Sequence, residues 1–191
     1  ATTGDRLTVR VFAGWDFTSA DLERAEPDFA ETGYAGGVPM GGDLSGKGKA
    51  PSFLVEALKD PDGGNLDRIQ IVKGWVDANG VAQEKVFDVA WSAERKRGKD
   101  GKVPVVKNTV DLKTGKYTNS VGAVQLKTFW RDPEYKAGQK AFYYARVLQI
   151  PTPRYSLYDA IKLGIDPRET GKPLTIQERA YTSPIWVSAK S

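Results

Sequence analysis

The strongest constraint on the fold of this chain is a pair of strand-like segments on either side of one turn sequence. Residues 66–76 and 81–91 are rich in β-branched and aromatic residues, and Asp77-Ala-Asn-Gly80 lies between them. Two such segments joined by a short turn that contains glycine are typical of a β-hairpin. The sequence therefore predicts a long antiparallel pair of strands.

The register of this hairpin depends on the turn that it adopts. A two-residue Asn79-Gly80 loop would place Ile71 opposite Asp88, which mixes an apolar with a charged residue on one face. A type I turn followed by Gly80 in a bulge matches apolar residues with each other, and we favour this register. It predicts the pairs Asp77–Val81, Ile71–Phe87, Ile69–Val89 and Lys73–Lys85.

Other segments carry strand patterns as well. Residues 6–12 alternate between apolar and polar, as in a half-buried strand. Residues 52–58 and 141–150 have apolar side chains on both faces, as in internal strands, and we expect 141–150 to be the central one. A final strand is predicted over 175–187, where Pro184 favours an edge position or a bulge.

The remaining segments predict helices and loops. Two short helices are expected, one through Arg24 capped by Thr18 or Ser19, and one over 157–163 that is capped by Ser156 and ends at Gly164. The long excursion over 14–49 is expected to be partly helical and otherwise irregular. The charged loop 92–107 and the stretch that ends at 130–133 are predicted to be irregular, and weak strands flank a turn in the region 109–118. The sum is about seven short antiparallel strands with two short helices, which predicts a single mainly β, sandwich-like domain over 1–191.

Two residue types are missing from the sequence, and this limits the chemistry. The chain has no cysteine, which excludes disulfides, thiolate nucleophiles and zinc ribbons. It also has no histidine, the commonest metal ligand, so histidine-ligated metals and histidine triads are impossible here. A serine nucleophile would lack a histidine base. We therefore predict no catalytic residue, metal or cofactor in this chain itself.

Charge and hydropathy bear on partners. The net charge of +4 permits weak attraction to polyanions, but the sequence lacks the clustered basic face that nucleic-acid binders show. We therefore expect no nucleic-acid partner. No run approaches the roughly 20 apolar residues of a membrane helix, so membrane insertion is not expected. Residues 1–5 do not resemble a signal peptide, and the missing initiator methionine suggests processing or truncation.

Two motifs suggest ligands, and each has a simpler explanation. Residues 41–48 approximate a phosphate-binding loop, but Gly48 replaces the Ser/Thr that holds Mg²⁺, and Pro51 prevents the helix that should follow. The second motif gathers oxygen atoms as a Ca²⁺ site would, although its spacing does not fit an EF-hand and a plain turn explains it better. Its members are Asp60, Asp62, Asn65 and Asp67.

Six residues are candidates for the wall of a substrate cleft, because they bring charges or an aromatic ring to predicted strands and their ends. They are Trp15, Asp16, Arg146, Arg154, Glu178 and Arg179. Trp15 can instead seal the edge of the core with Asp16 as a cap. The other four could clamp a carboxylate or phosphate, but internal Arg–Glu pairing explains them equally well. The five tryptophans and eight tyrosines allow sugar stacking, although core packing is the simpler explanation.

Several segments together resemble a bacterial family known only as domain of unknown function 3604, and the similarity spans nearly the whole chain. They are residues 14–17, 37–43, 65–75, 85–91, 141–147, 150–154 and 176–186. Proteins of that family look like two-part molecules, in which an N-terminal barrel of the polymerase-and-histidinol-phosphatase (PHP) type carries a His/Asp metal cluster. In that family the region that resembles the present chain follows the barrel, and residues 1–4 resemble the junction after the last elements of the barrel.

The resemblance implies an accessory role. The leading hypothesis is a β-domain of a secreted or periplasmic metal-dependent hydrolase that packs on the N-terminal barrel of the same polypeptide and lines its substrate cleft. The divalent metal is then expected in the barrel. The alternatives are a stand-alone module that binds carbohydrate or cell-surface polymers, and a purely structural domain without a ligand.

Overall fold

The computed structural model describes residues 1–25, 28–46 and 48–189 and places much of this chain in two β-sheets. The elements of its first half are β1 (Thr8–Gly14), α1 (Ser19–Arg24), α2 (Phe29–Gly36), β2 (Val38–Pro39), β3 (Asp43–Gly46), β4 (Ser52–Leu58), β5 (Leu66–Val76) and β6 (Ala82–Trp91). Those of the second half are β7 (Gln125–Arg131), β8 (Ala141–Gln149), β9 (Thr152–Pro153), α3 (Tyr155–Leu163), a 3₁₀ turn (Pro167–Thr170), β10 (Thr175–Ile176), β11 (Arg179–Tyr181) and β12 (Ile185–Ala189).

The two sheets differ in size and share a core. The smaller sheet has the order β2-β1-β4-β7, and the larger one has the order β3-β12-β8-β5-β6, with β11 also paired to β8. Among the described strands of these sheets, pairing is antiparallel except between β12 and β3. The mainly β, sandwich-like fold class is confirmed, and β8 lies inside the larger sheet as predicted.

The main core lies between the two sheets, and a smaller one lies beneath the helices. Phe53 and Val55 of β4 meet Ile71 of β5 and Tyr143 of β8 in the main core. On the opposite face of β4, Leu54 packs with apolar residues of β1 and of α1, α2 and their connections. Both faces of β4 are therefore buried, which explains why apolar residues occupy both of its faces.

The hairpin has the predicted turn and most of the predicted register. Gly80 has a φ of 79°, the N–H of Asp77 donates to the carbonyl of Val81 over 2.9 Å, and Ile71 lies opposite Phe87. The pairing of Ile69 with Val89 was wrong. A β-bulge shifts the register between Ile69 and Gln70, so that Ile69 lies opposite Ala90.

Lys73 and Lys85 do face each other across the hairpin, and each has its own carboxylate partner. The ammonium of Lys73 lies 2.6 Å from Oδ2 of Asp132, which follows β7, and the hydroxyl of Tyr143 donates to the same oxygen over 2.7 Å. Lys85 pairs with Glu134 at the surface. Asp132 and Glu134, which follow β7 of the smaller sheet, thus neutralise the two lysines. The buried pair of Lys73 and Asp132 joins the two sheets.

Three expectations about secondary structure need correction. The stretch before residue 133 contains the strand β7, which is stabilised by pairing along the whole length of β4. The turn region 109–118 forms one isolated bridge between Asp111 and Lys116 instead of strands. The long excursion over 14–49 holds a second helix, α2, in addition to the predicted α1 with Thr18 as its N-cap.

The last two predicted elements exist with different bounds. The helix α3 begins two residues early with Arg154 at its N-cap, because the hydroxyl of Ser156 donates instead to the carbonyl of Pro173 over 2.7 Å. It is capped at Gly164, as predicted. The final strand is divided into β10, β11 and β12, and Pro184 lies in the gap between β11 and β12, where its missing N–H interrupts no ladder.

The charged loop 92–107 is tied to the outside of the larger sheet. Arg95 donates to the backbone carbonyl of Asp67 over 3.0 Å, and the indole of Trp91 donates to the carbonyl of Arg95 over 2.7 Å. Val103 is buried, and its carbonyl accepts a hydrogen bond from Arg68 over 2.9 Å. The loop therefore covers one end of that sheet and leaves the other end open.

Candidate functional site

The candidate site lies on the outer face of the larger sheet, which is the face turned away from the smaller sheet. Alternation along β8 sends Ala141, Tyr143, Ala145 and Val147 into the core. It sends Phe142, Tyr144, Arg146 and Leu148 to the outer face, where each stays partly exposed. The outer face therefore carries two aromatic rings and a guanidinium along one strand.

At the open end of this face, a glycine and two rings form a cleft. The ring of Phe142 lies directly on Gly74 of the neighbouring β5, where a Cβ atom would be only 2.2 Å from the ring. Trp186 of β12 lies opposite Phe142, and their ring centroids are 5.4 Å apart at an interplanar angle of 56°. A side chain at position 74 would collide with the Phe142 ring unless that ring moved, so glycine is what allows this close contact.

We call this depression the aromatic cleft. It has a volume of about 650 Å³, and apolar atoms of Phe142 and Trp186 line it together with the backbone around Gly74. Trp186 is 52% exposed, which is unusual for the largest apolar side chain. Hydrogen-bonding groups around the rings come from Asp43, Gln83, Glu84 and Lys140. An open apolar floor with a few polar groups at its rim is typical of a site for a small organic ligand.

The aromatic strip continues along the outer face beyond the cleft. Tyr144 of β8 and Tyr181 of β11 form a second ring pair, with centroids 6.3 Å apart. Burial raises the pKa of the Tyr144 hydroxyl above its ordinary value, the negative charge of Glu84 raises it further, and Arg146 opposes this. Tyr144 is therefore neutral at physiological pH, and its hydroxyl interacts electrostatically with the carboxylate of Glu84 and the guanidinium of Arg146.

The structure separates Trp15 and Asp16 from this face. Trp15 is buried against the main core, and its indole donates to the carbonyl of Ser45 over 3.4 Å. Asp16 is at the surface, where it pairs with Lys49. Trp15 thus seals the edge of the core, which was the simpler of the two explanations, whereas Asp16 does not cap α1.

The four charged candidates are only partly brought together. Arg146 and Arg179 share the outer face, because Tyr181 pairs with Arg146 and Arg179 pairs with Leu148 in the antiparallel β8–β11 register. Arg154 lies apart at the start of α3, where its guanidinium stacks on the ring of Tyr155 at 4.7 Å. Glu178 accepts a hydrogen bond from Thr3 and forms no ion pair within the part of the chain that the structure describes.

Neither of the two ligand motifs is assembled into a site by the residues that the structure describes. In the proposed Ca²⁺ set, Asp60 accepts the N–H of Arg6 over 2.8 Å and Asp67 pairs with Arg68 and Arg95, so these two carboxylates are engaged by the protein itself. The side chain of Asp62 is 91% exposed. In residues 1–25, 28–46 and 48–189, no group of three or more acidic side chains could hold a metal ion. In the phosphate-loop motif, residues 43–46 form β3, while Lys47 is outside the described residues.

The cleft residues Phe142, Trp186 and Gly74 were not predicted as a site. One sequence signal could have found them, since an isolated glycine inside a strong strand pattern marks a bulge or a close approach of another group. Gly74 is such a glycine, and the partner that approaches it is Phe142. Trp186, by contrast, has no distinguishing sequence signal.

The fold and this surface define a mainly β, sandwich-like domain with an open aromatic cleft on its larger sheet. The family model described as "Protein of unknown function (DUF3604)" matches residues 1–189, and the chain therefore belongs to that family. No curated protein and no solved structure matches the chain. Among the described residues, no helix is both long enough and apolar enough to cross a bilayer.

Proposed function

We propose that this chain is a binding domain, and that it binds carbohydrate in the aromatic cleft. One observation carries the proposal: a half-exposed Trp186 is paired with Phe142 in an open cleft whose rim bears carboxylates, an amide and an ammonium. Sugar rings present apolar C–H faces and a periphery of hydroxyl groups. The rings of the cleft suit the former and the rim groups suit the latter.

The packing of the cleft supports this proposal. The ring of Phe142 contacts Gly74 closely, so its position is supported by the sheet itself and does not depend on a ligand. An aromatic ring that is already fixed loses little conformational entropy on binding, which favours affinity. Core packing does not explain Trp186, because it points to the outer face and is not part of either buried cluster.

Binding of labelled chain to an array of neutral and acidic glycans tests the proposal, followed by titration of tryptophan fluorescence with the strongest glycan. Trp186→Ala should weaken binding at least about tenfold, because aromatic side chains at the centre of a site contribute most of the binding energy. Tyr158→Ala is the matched control, since Tyr158 is similarly exposed, at 50%, and lies on α3. Lack of saturable binding to every glycan, or an unchanged affinity of Trp186→Ala, contradicts the proposal.

A second candidate function places the chain in a larger protein. Here the chain is the accessory β-domain of a periplasmic or secreted PHP-type hydrolase and docks on the barrel that holds the divalent metal. The outward side of α3 favours it: Tyr155, Tyr158 and Ile161 recur every three residues and are exposed, although Leu157 and Ala160 already bury the inner side. A helix that is apolar on both sides is usually covered on both.

The intact mass of the protein from its native source, measured together with its metal content, tests this second candidate. A mass well above 20.9 kDa with bound divalent metal supports it, and a metal-free mass of 20.9 kDa contradicts it. Asp16 and Arg154 lie at the surface and stay candidates for a cleft wall in such a protein. Trp15 is a weaker candidate because it is buried.

A further inference from the structure

The outer face also carries two arginines whose charges are not neutralised. Arg146 and Arg179 are both half-buried and form no ion pair within the described ranges. Each uses only its Nε atom in a hydrogen bond: Arg146 donates to the side chain of Gln70 over 2.8 Å, and Arg179 donates to the carbonyl of Gln177 over 3.3 Å. The terminal nitrogens of both guanidinium groups are therefore available to a ligand.

Arg146 and Arg179 differ from most arginines of the chain in that their terminal nitrogens have no ion-pair or hydrogen-bond partner among the described residues. Arg154 also has no partner for its terminal nitrogens among the described residues, but it stacks on Tyr155 away from the outer face. Every other arginine has at least one terminal nitrogen in an ion pair or a hydrogen bond to a carbonyl group. Arg146 and Arg179 bring two positive charges to one face of the sheet, and a single oxyanion that contacts both would pair with each of them.

The guanidinium of Arg146 is also held in position. Gln70 accepts its Nε–H, and the amide of Gln70 in turn donates to Asp88 over 2.8 Å. Asp88 is buried and is itself fixed by Arg68 and by the backbone N–H of Val103. A chain of hydrogen bonds thus orients Arg146 from behind, as is usual for residues that bind a ligand with a defined geometry.

The arginines lie in line with the aromatic cleft. In the β8–β11 register they are diagonal neighbours, which corresponds to about 7–8 Å between their Cα atoms. From Phe142 to Arg146 the outer face of β8 extends about 13 Å; Tyr144 lies between them, and its ring partner Tyr181 lies opposite Arg146 on β11. An extended ligand of a few sugar units can therefore contact the cleft and both arginines.

We propose that Arg146 and Arg179 form an anion subsite, and that the ligand of the aromatic cleft is an acidic oligosaccharide whose carboxylate or sulfate group binds between them. This inference rests on the proposed function, since it assigns the chemical class of the same ligand. Guanidinium groups bind planar carboxylates and sulfates through paired, charge-assisted hydrogen bonds. The subsite therefore gives the face a preference for charged over neutral glycans.

Calorimetric titration of the full chain with three probes tests this inference: a galacturonic acid trimer, the corresponding neutral galactose trimer and a sulfated galactose trimer. An acidic trimer should bind about tenfold more tightly than the neutral one, and the tighter acidic trimer identifies the preferred group. The preference should fall as salt is raised. The double variant Arg146→Gln/Arg179→Gln should lose it, whereas the control Arg154→Gln should retain it.

The outcomes distinguish the proposed arginine subsite from the proposed binding of sugar in the cleft. If the neutral trimer binds as tightly as both acidic ones, or if the preference survives in the double variant, the proposal of an arginine subsite is refuted, whereas the proposal of sugar binding in the cleft stands. If the preference is present but Trp186→Ala leaves the affinity for every trimer unchanged, the proposal that the cleft binds sugar is refuted, whereas the proposal that the arginines bind the anion stands. If no trimer binds, both proposals are overturned for this ligand class. Thermal unfolding of each variant verifies that its fold is intact.

Discussion

The substitution Asp132→Asn, which removes the charge but keeps the size of the side chain, should strongly destabilise the protein. The carboxylate of Asp132 is fully buried, and the side chain of its partner Lys73 is only 3% exposed. Asp132→Asn leaves the ammonium of Lys73 buried without a counter-charge, and breaking such a pair typically costs about 3–5 kcal/mol. Contacts of Lys73 with the rings of Trp75, Tyr135 and Tyr143 remain at 5.1–5.8 Å and offset part of this loss.

The expected net loss is about 3 kcal/mol in the free energy of unfolding, which corresponds to a fall of roughly 6–12 °C in Tm for a chain of this size. Urea unfolding followed by circular dichroism measures it. Glu134→Gln is the matched control: its pair with Lys85 is about half exposed, so the loss should be below about 1 kcal/mol.

Addition of Lys73→Met to Asp132→Asn removes the unpaired charge, and we expect the double variant to be more stable than Asp132→Asn alone. The reasoning is refuted if Asp132→Asn costs no more than Glu134→Gln. It is also refuted if Lys73→Met destabilises the Asp132→Asn protein further. The first result would mean that the buried ion pair contributes no more than the exposed one. The second would mean that Lys73 stabilises the fold without its carboxylate partner, through its contacts with the surrounding rings.

Three further predictions concern the turn, the loop and the helix end. Hydrogen bonds from the backbone N–H groups of Val81 and Asn79 hold the pKa of Asp77 below its ordinary 3.8, so Asp77 stabilises the fold above that pH and loses this effect as the pH falls through the lowered pKa. Asp77→Asn should therefore flatten the decline in stability below about pH 4 in acid titrations. Arg95→Ala should release the loop 92–107, and limited proteolysis should then cleave there faster than in wild type. Gly164→Ala should cost about 1 kcal/mol in urea unfolding, because Gly164 has a φ of 68° and open space around its Cα.

Local sequence determined the parts of the fold in which neighbours along the chain interact. The turn at Asp77 and Gly80 followed from the residue types that a bulged type I turn requires, and Gly164 ended α3 because a left-handed residue was needed there. The apolar residues on both faces of β4 predicted an internal strand. The absence of histidine and cysteine excluded whole classes of chemistry without any structure.

Predictions of the site were less complete, because a surface is formed by several strands at once. Arg146 and Arg179 were among the six candidates, but their placement on one face depends on the pairing of β8 with β11. Trp15 is of a residue type that often stacks on ligands, but it is buried in the core. Burial depends on what packs above a residue, and residue type alone does not contain that information.

The sequence by itself determined a mainly β chain, its central hairpin and its lack of histidine or thiolate chemistry, because these follow from residue type and spacing. Tertiary structure alone decided which carboxylate neutralises Lys73, and that Phe142 covers Gly74 beside Trp186. Those contacts join segments that are far apart in the chain. Their geometry is set by the sheet order and strand register, and these arise from the packing of the whole core rather than from any local pattern.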